Sequence, residues 1–243
     1  MASTLYLDLK QREEPWFNLR AGNVGASQAE AISSTLRSGK ESARRRDLRT
    51  QLALERVVGH SLEPQGVITH DMQRGIDLES EAVARFSEQM GVLVRPCGWI
   101  QNSTIKAGVS PDGLVGMGGP TDTLLEVKAP RPANHLAAFE LRHEVGIAAI
   151  PTKNRAQLIH ALYVSGFPAI HFVSYCPLFP PALHLYHVRL ERDSLKEELD
   201  AYAVKLDAFL GEVDAEEARI RELLVSIKTS DVCTKYGLNQ EVS

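Results

Sequence analysis

Asp112 stands in the segment SPDG, residues 110–113, and 14 residues further on Glu126 and Lys128 flank Val127 in LLEVKAP. In an extended strand alternate side chains share a face, so Glu126 and Lys128 project together and Val127 turns to the other side. Gly108 to Val115 reads as strand, Pro-Asp-Gly turn, strand, which sets Asp112 at the edge of the face that holds Glu126. Two carboxylates converging in this way offer oxygen ligands to a hard cation such as Mg²⁺, which combines a few carboxylates with water and phosphate oxygens. A lysine beside them orients an attacking water and neutralises charge developing on a phosphoryl group. Each piece also has an ordinary reading. Glu-x-Lys on a strand forms a surface ion pair, and Asp-Gly is a common turn pair.

Such a constellation needs a sheet beneath it. From Val92 to Lys128 the β-branched and aromatic residues, interrupted by Gly and Pro-Asp-Gly, predict three or four antiparallel strands. Upstream, WFNLRAGNVGASQAEAI (16–32) reads as a short helix, a turn around Gly22 and Gly25, and a second helix opened by Ser27 as its N-cap. RRRDLRTQLALERVVG (44–59) is amphipathic, with Leu48, Leu52, Val57 and Val58 inward and the arginines outward. In the next helix Met72, Ile76, Ala82, Val83 and Phe86 recur at helical spacing up to Gly91. After Pro130 helical pattern returns around His135 to His143 and in KNRAQLIHALYVSG (153–166). Strands AIHFVSYC and ALHLYHVRL follow, separated by a Pro-rich turn, and a long helix runs from about Ser194 to Ile227. The order predicts a single domain over residues 1–243, an α/β fold with a central mixed sheet flanked by helices, and a flexible C-terminal tail from about residue 229.

The chain has 243 residues, 44% hydrophobic and 24% charged, the composition of an ordinary globular protein. Its net charge of −4 argues against a globally basic nucleic-acid binder. The charge is uneven, however. Between Arg37 and Arg56 seven Lys/Arg stand against three acids, and between Glu191 and Glu222 eleven acids stand against five bases. Such a basic stretch either lines a positive groove for a polyanion or forms one of two solvated helix faces of opposite sign. Cys97, Cys176 and Cys233 show neither a pairing pattern nor metal-ligand spacing, and His70, His135, His143 and His160 lack zinc spacing and read as structural. No stretch resembles a signal peptide or reaches the roughly 18 apolar residues of a membrane span, so a cytoplasmic location is expected.

Pro111-Asp112 with Glu126-Val127-Lys128 resembles the motif of the PD-(D/E)xK nuclease superfamily. More narrowly, the chain is similar to the phage λ exonuclease branch, also described as YqaJ-like viral recombinases. WFNLRAGNVGAS (16–27) is similar to that family's W-x-x-x-R-x-G-x-x-x-A-S opening, RGIDLESEA (74–82) to its G-x-x-x-E-x-x-A helix, and AQLIHALYVSG (156–166) to its Gln-containing helix. The resemblance implies a Mg²⁺-dependent 5′-to-3′ exonuclease that digests one strand of linear double-stranded DNA and leaves a 3′ single-stranded tail for recombination. It implies Glu79, Asp112, Glu126 and the Val127 carbonyl as metal ligands, with a second Mg²⁺ when DNA is bound. Lys128 would position the attacking water, Gln157 would support the site, and Arg20 and Ser27 would contact a terminal 5′-phosphate. Gly25 departs from the pattern, since better-known members carry Thr there. A ring-shaped homotrimer and a single-strand annealing protein as partner are further implications. Read without the resemblance, Glu79 and Gln157 are solvated helix residues, Arg20 pairs with any nearby acid, and Ser27 caps its helix. A structure-specific or restriction-type endonuclease, or a non-catalytic DNA-end binding module, would carry much of the same pattern.

Overall fold

The computed structural model describes residues 3–34, 38–62 and 69–229, without the side chains of 70–72 and 228–229. The expected inward packing of Met72, the tail, Cys233, Arg37 and the His70 side chain lie outside the described residues. In chain order the elements are β1 (Ser3–Tyr6), α1 (Glu14–Arg20), β2 (Val24–Gly25), α2 (Ala29–Ile32), α3 (Ala43–Val58), α4 (His70–Met90), β3 (Val94–Arg95), β4 (Trp99–Asn102), β5 (Ala107–Val109), β6 (Gly113–Val115), β7 (Thr123–Lys128), α5 (Pro132–Glu140), α6 (Thr152–Ser165), β8 (Ala169–Tyr175), β9 (Leu185–Glu191) and α7 (Lys196–Thr229).

The strands form two mixed sheets, ordered β1-β4-β5-β2 and β3-β6-β7-β8-β9. Within the larger one β7 and β8 run parallel, and β6 and β9 flank them antiparallel. The α/β class with helices around mixed sheets is as expected, but the stretch from Val92 to Lys128 holds five strands divided between the sheets. Ser110-Pro111-Asp112 is therefore a crossing from one sheet to the other and not a hairpin turn. Close packing holds this crossing. A Cβ on Gly108 would lie 2.1 Å from the Trp99 ring, so only glycine fits there. Trp16 donates its indole N–H to the Gly98 carbonyl (3.0 Å) and the Ser110 hydroxyl (2.8 Å), and Gln11 donates to the Pro111 carbonyl at 2.9 Å.

Both faces of β7 are covered, which is why TLLEVK lacks the apolar alternation of a half-exposed strand. Leu124 joins the main core with Leu114, Leu158, Leu162, Phe172 and Phe209. Leu125 and Val127 turn the other way onto Ala82 and Phe86 of α4. Ile76 and Val83 of that helix are only half-buried. Among the described residues no helix is long and apolar enough to cross a membrane.

In α3 the inward positions are Leu48, Leu52, Ala53 and Glu55, whereas Val57 is half-buried and Val58 is exposed. The helix stops there, with Gly59 in the left-handed region at φ 78°. Glu55 is buried because it works as an acceptor for the Gly22 N–H (2.8 Å) and the Leu62 N–H (3.0 Å).

The uneven charge resolves into an internal contact, since α3 packs along α7. Arg45 makes a bidentate pair with Glu212 (2.6 and 2.9 Å), Arg49 reaches the same carboxylate, and Arg56 pairs with Asp214 at 2.6 Å. Arg45, Arg49 and Arg56 of the basic stretch are thus matched to the acidic helix, while Arg44 and Arg46 pair with Glu30 and Asp47. Hydrogen bonding to Arg45 holds the Glu212 carboxyl below the usual range. Its contribution to stability is present above the unfolded-state pKa of about 4.3 and is lost as pH falls through the lower folded value. Arg45→Met also removes a guanidinium 5.1 Å above the Phe209 ring and is expected to cost about 1–3 kcal/mol. Chemical denaturation of wild type, Arg45→Met and Glu212→Gln from pH 7 to pH 3 would check both statements. Glu212→Gln should flatten the acid limb.

Candidate active site

The antiparallel register of β6 with β7 pairs Gly113 with Leu125, and the next step places Asp112 opposite Glu126. The Asp112 N–H donates to the Leu125 carbonyl (2.9 Å), and its carboxylate accepts the Val127 N–H at 2.6 Å. Asp112 is thereby tied to the neighbouring strand rather than to its own turn. Across β7, the Glu126 carboxylate accepts from the Lys128 ammonium (2.5 Å) and from the Gln157 amide of α6 (2.6 Å). Glu126 is buried at 3% exposure, so these two donors replace the water it has lost.

Charge and burial oppose one another here. Burial, and then the Glu126 and Glu79 carboxylates, push the Asp112 carboxyl well above its usual range, against the pull of Lys128 and the Val127 N–H. Burial works against the Lys128 ammonium, yet Glu126 and Asp112 hold its pKa above the ordinary lysine value. Negative charge exceeds what one ammonium offsets, which is the setting a hard dication would relieve. The donors suit one as well, being carboxylate oxygens with a main-chain carbonyl at Val127. Among the described residues, no three His, Cys, Asp or Glu side chains stand together as a ligand group. Glu79 of α4 is half-buried and paired with Arg12 at 2.7 Å.

Glu79, Asp112, Val127 and Lys128 line one cleft of about 610 Å³, and Ser27 lines it too. Ser27 is exposed and belongs to a short 3-10 turn, Ala26–Gln28, ahead of the four-residue α2. It makes no capping hydrogen bond, so the expected N-cap role is corrected: Gly25 and Gln28 occupy the cap positions. Arg20, at the end of α1, lies with its guanidinium 3.9 Å from the centroid of the Trp16 ring. A Cβ on Gly25 would sit 3.4 Å from the Arg20 terminal nitrogen, an ordinary contact, and Gly25 has φ −96°, open to any residue. The Arg20 guanidinium thus ends beside a backbone position two residues from Ser27.

A model of the YqaJ-like viral recombinase domain matches residues 15–168 of the chain. The chain belongs to this family. The matched span runs from the Trp16 helix through the whole of α6 and so contains every candidate site residue. The fold is similar to that of an alkaline exonuclease, LHK-Exo, from Laribacter hongkongensis, with TM-score 0.71 and 28% identity over 88% of this chain and 100% of that one. The same figures hold for LHK-Exo in complex with dAMP. A phage-related exonuclease from Haemophilus somnus 129PT shares the fold at TM-score 0.56 and 12% identity, covering 83% of this chain and 96% of that one. A search of the curated proteins finds no match.

Within this YqaJ-like fold, several residues outside the candidate set build the surroundings of the site. Arg12 holds Glu79, Trp16 both clasps Ser110 and carries Arg20, and Tyr175 donates to Glu81 at 2.7 Å on the same helix as Glu79. Two histidines read as structural are so. His135 bonds Ser174 and the Leu183 carbonyl (both 2.8 Å). His160 bonds the Tyr202 hydroxyl (2.6 Å) and the Gly108 carbonyl (3.0 Å), and burial lowers its pKa to about 4. His143 is exposed.

Proposed function

We propose that this DNA exonuclease of the YqaJ-like family digests one strand of linear double-stranded DNA from its 5′ end with Mg²⁺, leaving a 3′ single-stranded tail for recombination. The observation that carries the reading is the joint presence of Asp112 and Lys128 on adjoining strand ends at one open cleft, with Glu126 buried beside them and bonded to Lys128. Asp112, Glu126 and the Val127 carbonyl would hold the cation, and Glu79 would join them by exchanging its Arg12 partner. When bound, the cation supplies Lewis-acid polarisation of the phosphoryl oxygen and lowers the pKa of a water. Lys128 orients the attacking water and offsets charge gathering on the phosphoryl oxygens. Gln157 keeps the Glu126 carboxylate in position, having already donated its amide to it.

Arg20 and Ser27 would receive the terminal 5′-phosphate. A guanidinium spread over an aromatic ring presents its planar fork in a fixed direction, which suits a phosphate better than a flexible ammonium. Ser27 contributes its exposed hydroxyl. Backbone contacts of this kind carry no base information, in keeping with digestion of any sequence. The homotrimer and the annealing partner belong to the same reading and rest on family membership.

The reading is tested with duplexes labelled at either end, carrying a 5′-phosphate or a 5′-hydroxyl. Wild type should release the 5′ label first and prefer the phosphorylated end roughly tenfold or more, the scale of a charge-assisted pair. Arg20→Ala should erase most of that preference. Equal rates of wild type on both ends would exclude the phosphate anchor, and first release of the 3′ label would exclude the polarity.

A further inference from the structure

The N-terminal end of α6 opens into the same cleft, where Pro151, Lys153 and Asn154 form part of the wall. α6 is 14 residues long, has no side-chain cap and no acidic residue in its first turn. The N–H groups of Thr152 and Lys153 find no partner among the described residues, while that of Asn154 turns back to the Pro151 carbonyl at 2.8 Å. The positive end of the helix dipole is therefore not neutralised by the protein.

Asn154 supplies the second, independent observation. It is 8% exposed, it lines the cleft, and among the described residues its carboxamide has no hydrogen-bond partner. The amide opens to the solvent of the cleft, where a ligand oxygen can replace water as its acceptor. Lys153 beside it is exposed and makes no ion pair with any described residue. One turn on, Gln157 projects from the same helix face and donates to Glu126. An anion held by Lys153, Asn154 and the first-turn N–H groups would lie one helical turn from the carboxylates.

We infer that the N-terminus of α6, with Lys153 and Asn154, is a subsite for a backbone phosphate of the strand being cut. The inference rests on the exonuclease reading and adds to it a substrate-positioning element separate from Arg20 and Ser27. The site takes a phosphodiester monoanion: the amide donates one hydrogen bond, the helix N–H groups donate others, and the ammonium pairs with the charge.

The test uses the full chain with Ca²⁺ in place of Mg²⁺ and a set of duplexes, each with one methylphosphonate that removes the charge of a single phosphate near the 5′ end. Fluorescence anisotropy gives the affinity of wild type, Lys153→Gln and Asn154→Ala for each duplex. Wild type should lose roughly tenfold at one position. Both variants should bind unmodified duplex several-fold more weakly, show a reduced penalty at that position, and respond as wild type elsewhere. Lys153→Gln should also lower the slope of log affinity against log salt by about one, and in Mg²⁺ both variants should raise KM more than they lower kcat. Lys153 is exposed, so its variant keeps the test decisive if Asn154→Ala folds poorly. Variants that match wild type on unmodified duplex, or that still pay the full penalty at every position, overturn the subsite while leaving the exonuclease reading intact. Failure of wild type to bind any linear duplex overturns both.

Discussion

Asp112→Asn is expected to abolish DNA cleavage while leaving the protein at least as stable as wild type. The amide keeps an oxygen that accepts the Val127 N–H, now 2.6 Å from Oδ2, so the crossing between the sheets is preserved. It removes a carboxylate that burial and Glu126 already disfavour, so loss of the charge relieves strain in the fold. On the proposed reading it also removes one of the two carboxylates that would hold the cation. Initial rates on linear duplex should fall on the order of 10³-fold or more, the scale of deleting one electrostatic stabiliser at a reaction centre, with an unchanged or higher Tm. A residue whose loss raises stability and destroys activity is the mark of a functional position. Near-wild-type turnover by the folded variant would remove Asp112 from the site.

Lys128→Met should cut the rate on the order of 10² while DNA is still bound. The ammonium is about one-third exposed and Glu126 almost fully buried, with side-chain exposures of 33% and 4%. Its removal leaves Glu126 with the Gln157 amide alone, at a cost of about 1–3 kcal/mol in stability. Lys128→Arg restores the charge but not the compact donor beside Glu126, so it should not restore the rate. Single-turnover kinetics at saturating enzyme separate the outcomes. A variant that regains the wild-type rate once DNA is saturating would show that Lys128 serves binding and not the chemical step.

Much of this site is readable because its parts are close in sequence. Glu126, Val127 and Lys128 share a strand, and the strand period alone divides them between faces. A strand, Pro-Asp-Gly turn and strand over Gly108 to Val115 puts Asp112 beside Glu126, as the fold does, but the two strands flanking Pro111 belong to different sheets, fixed by the Trp99 ring against Gly108 and by Trp16 on Ser110. Strands of two or three residues leave too little pattern to show which sheet they join. The α3–α7 charge matching was equally hidden. Arg45 and Glu212 are 167 residues apart, and only packing makes partners of two helices that each read as solvated. Arg12 gives no signal, since it lies in a polar segment without periodicity and meets Glu79 only through tertiary structure. Ser27 reads as an N-cap by type, but the chain makes a 3-10 turn there and leaves its hydroxyl exposed. Lys153 and Asn154 precede Gln157 by four and three residues, and what marks them is the cleft and the lack of a partner for Asn154, both properties of the fold.

Degradation of a 5′-phosphorylated linear duplex, mixed with a covalently closed circle of the same sequence, bears most directly on the central claim. With Mg²⁺ the linear molecule should be shortened from its ends with release of mononucleotides, the circle should remain closed, and chelation should stop the reaction. Asp112→Asn should leave both molecules intact. Cutting of the circle would mean an endonuclease built on the same residues, and digestion that persists undiminished after chelation would contradict the role assigned to Asp112 and Glu126.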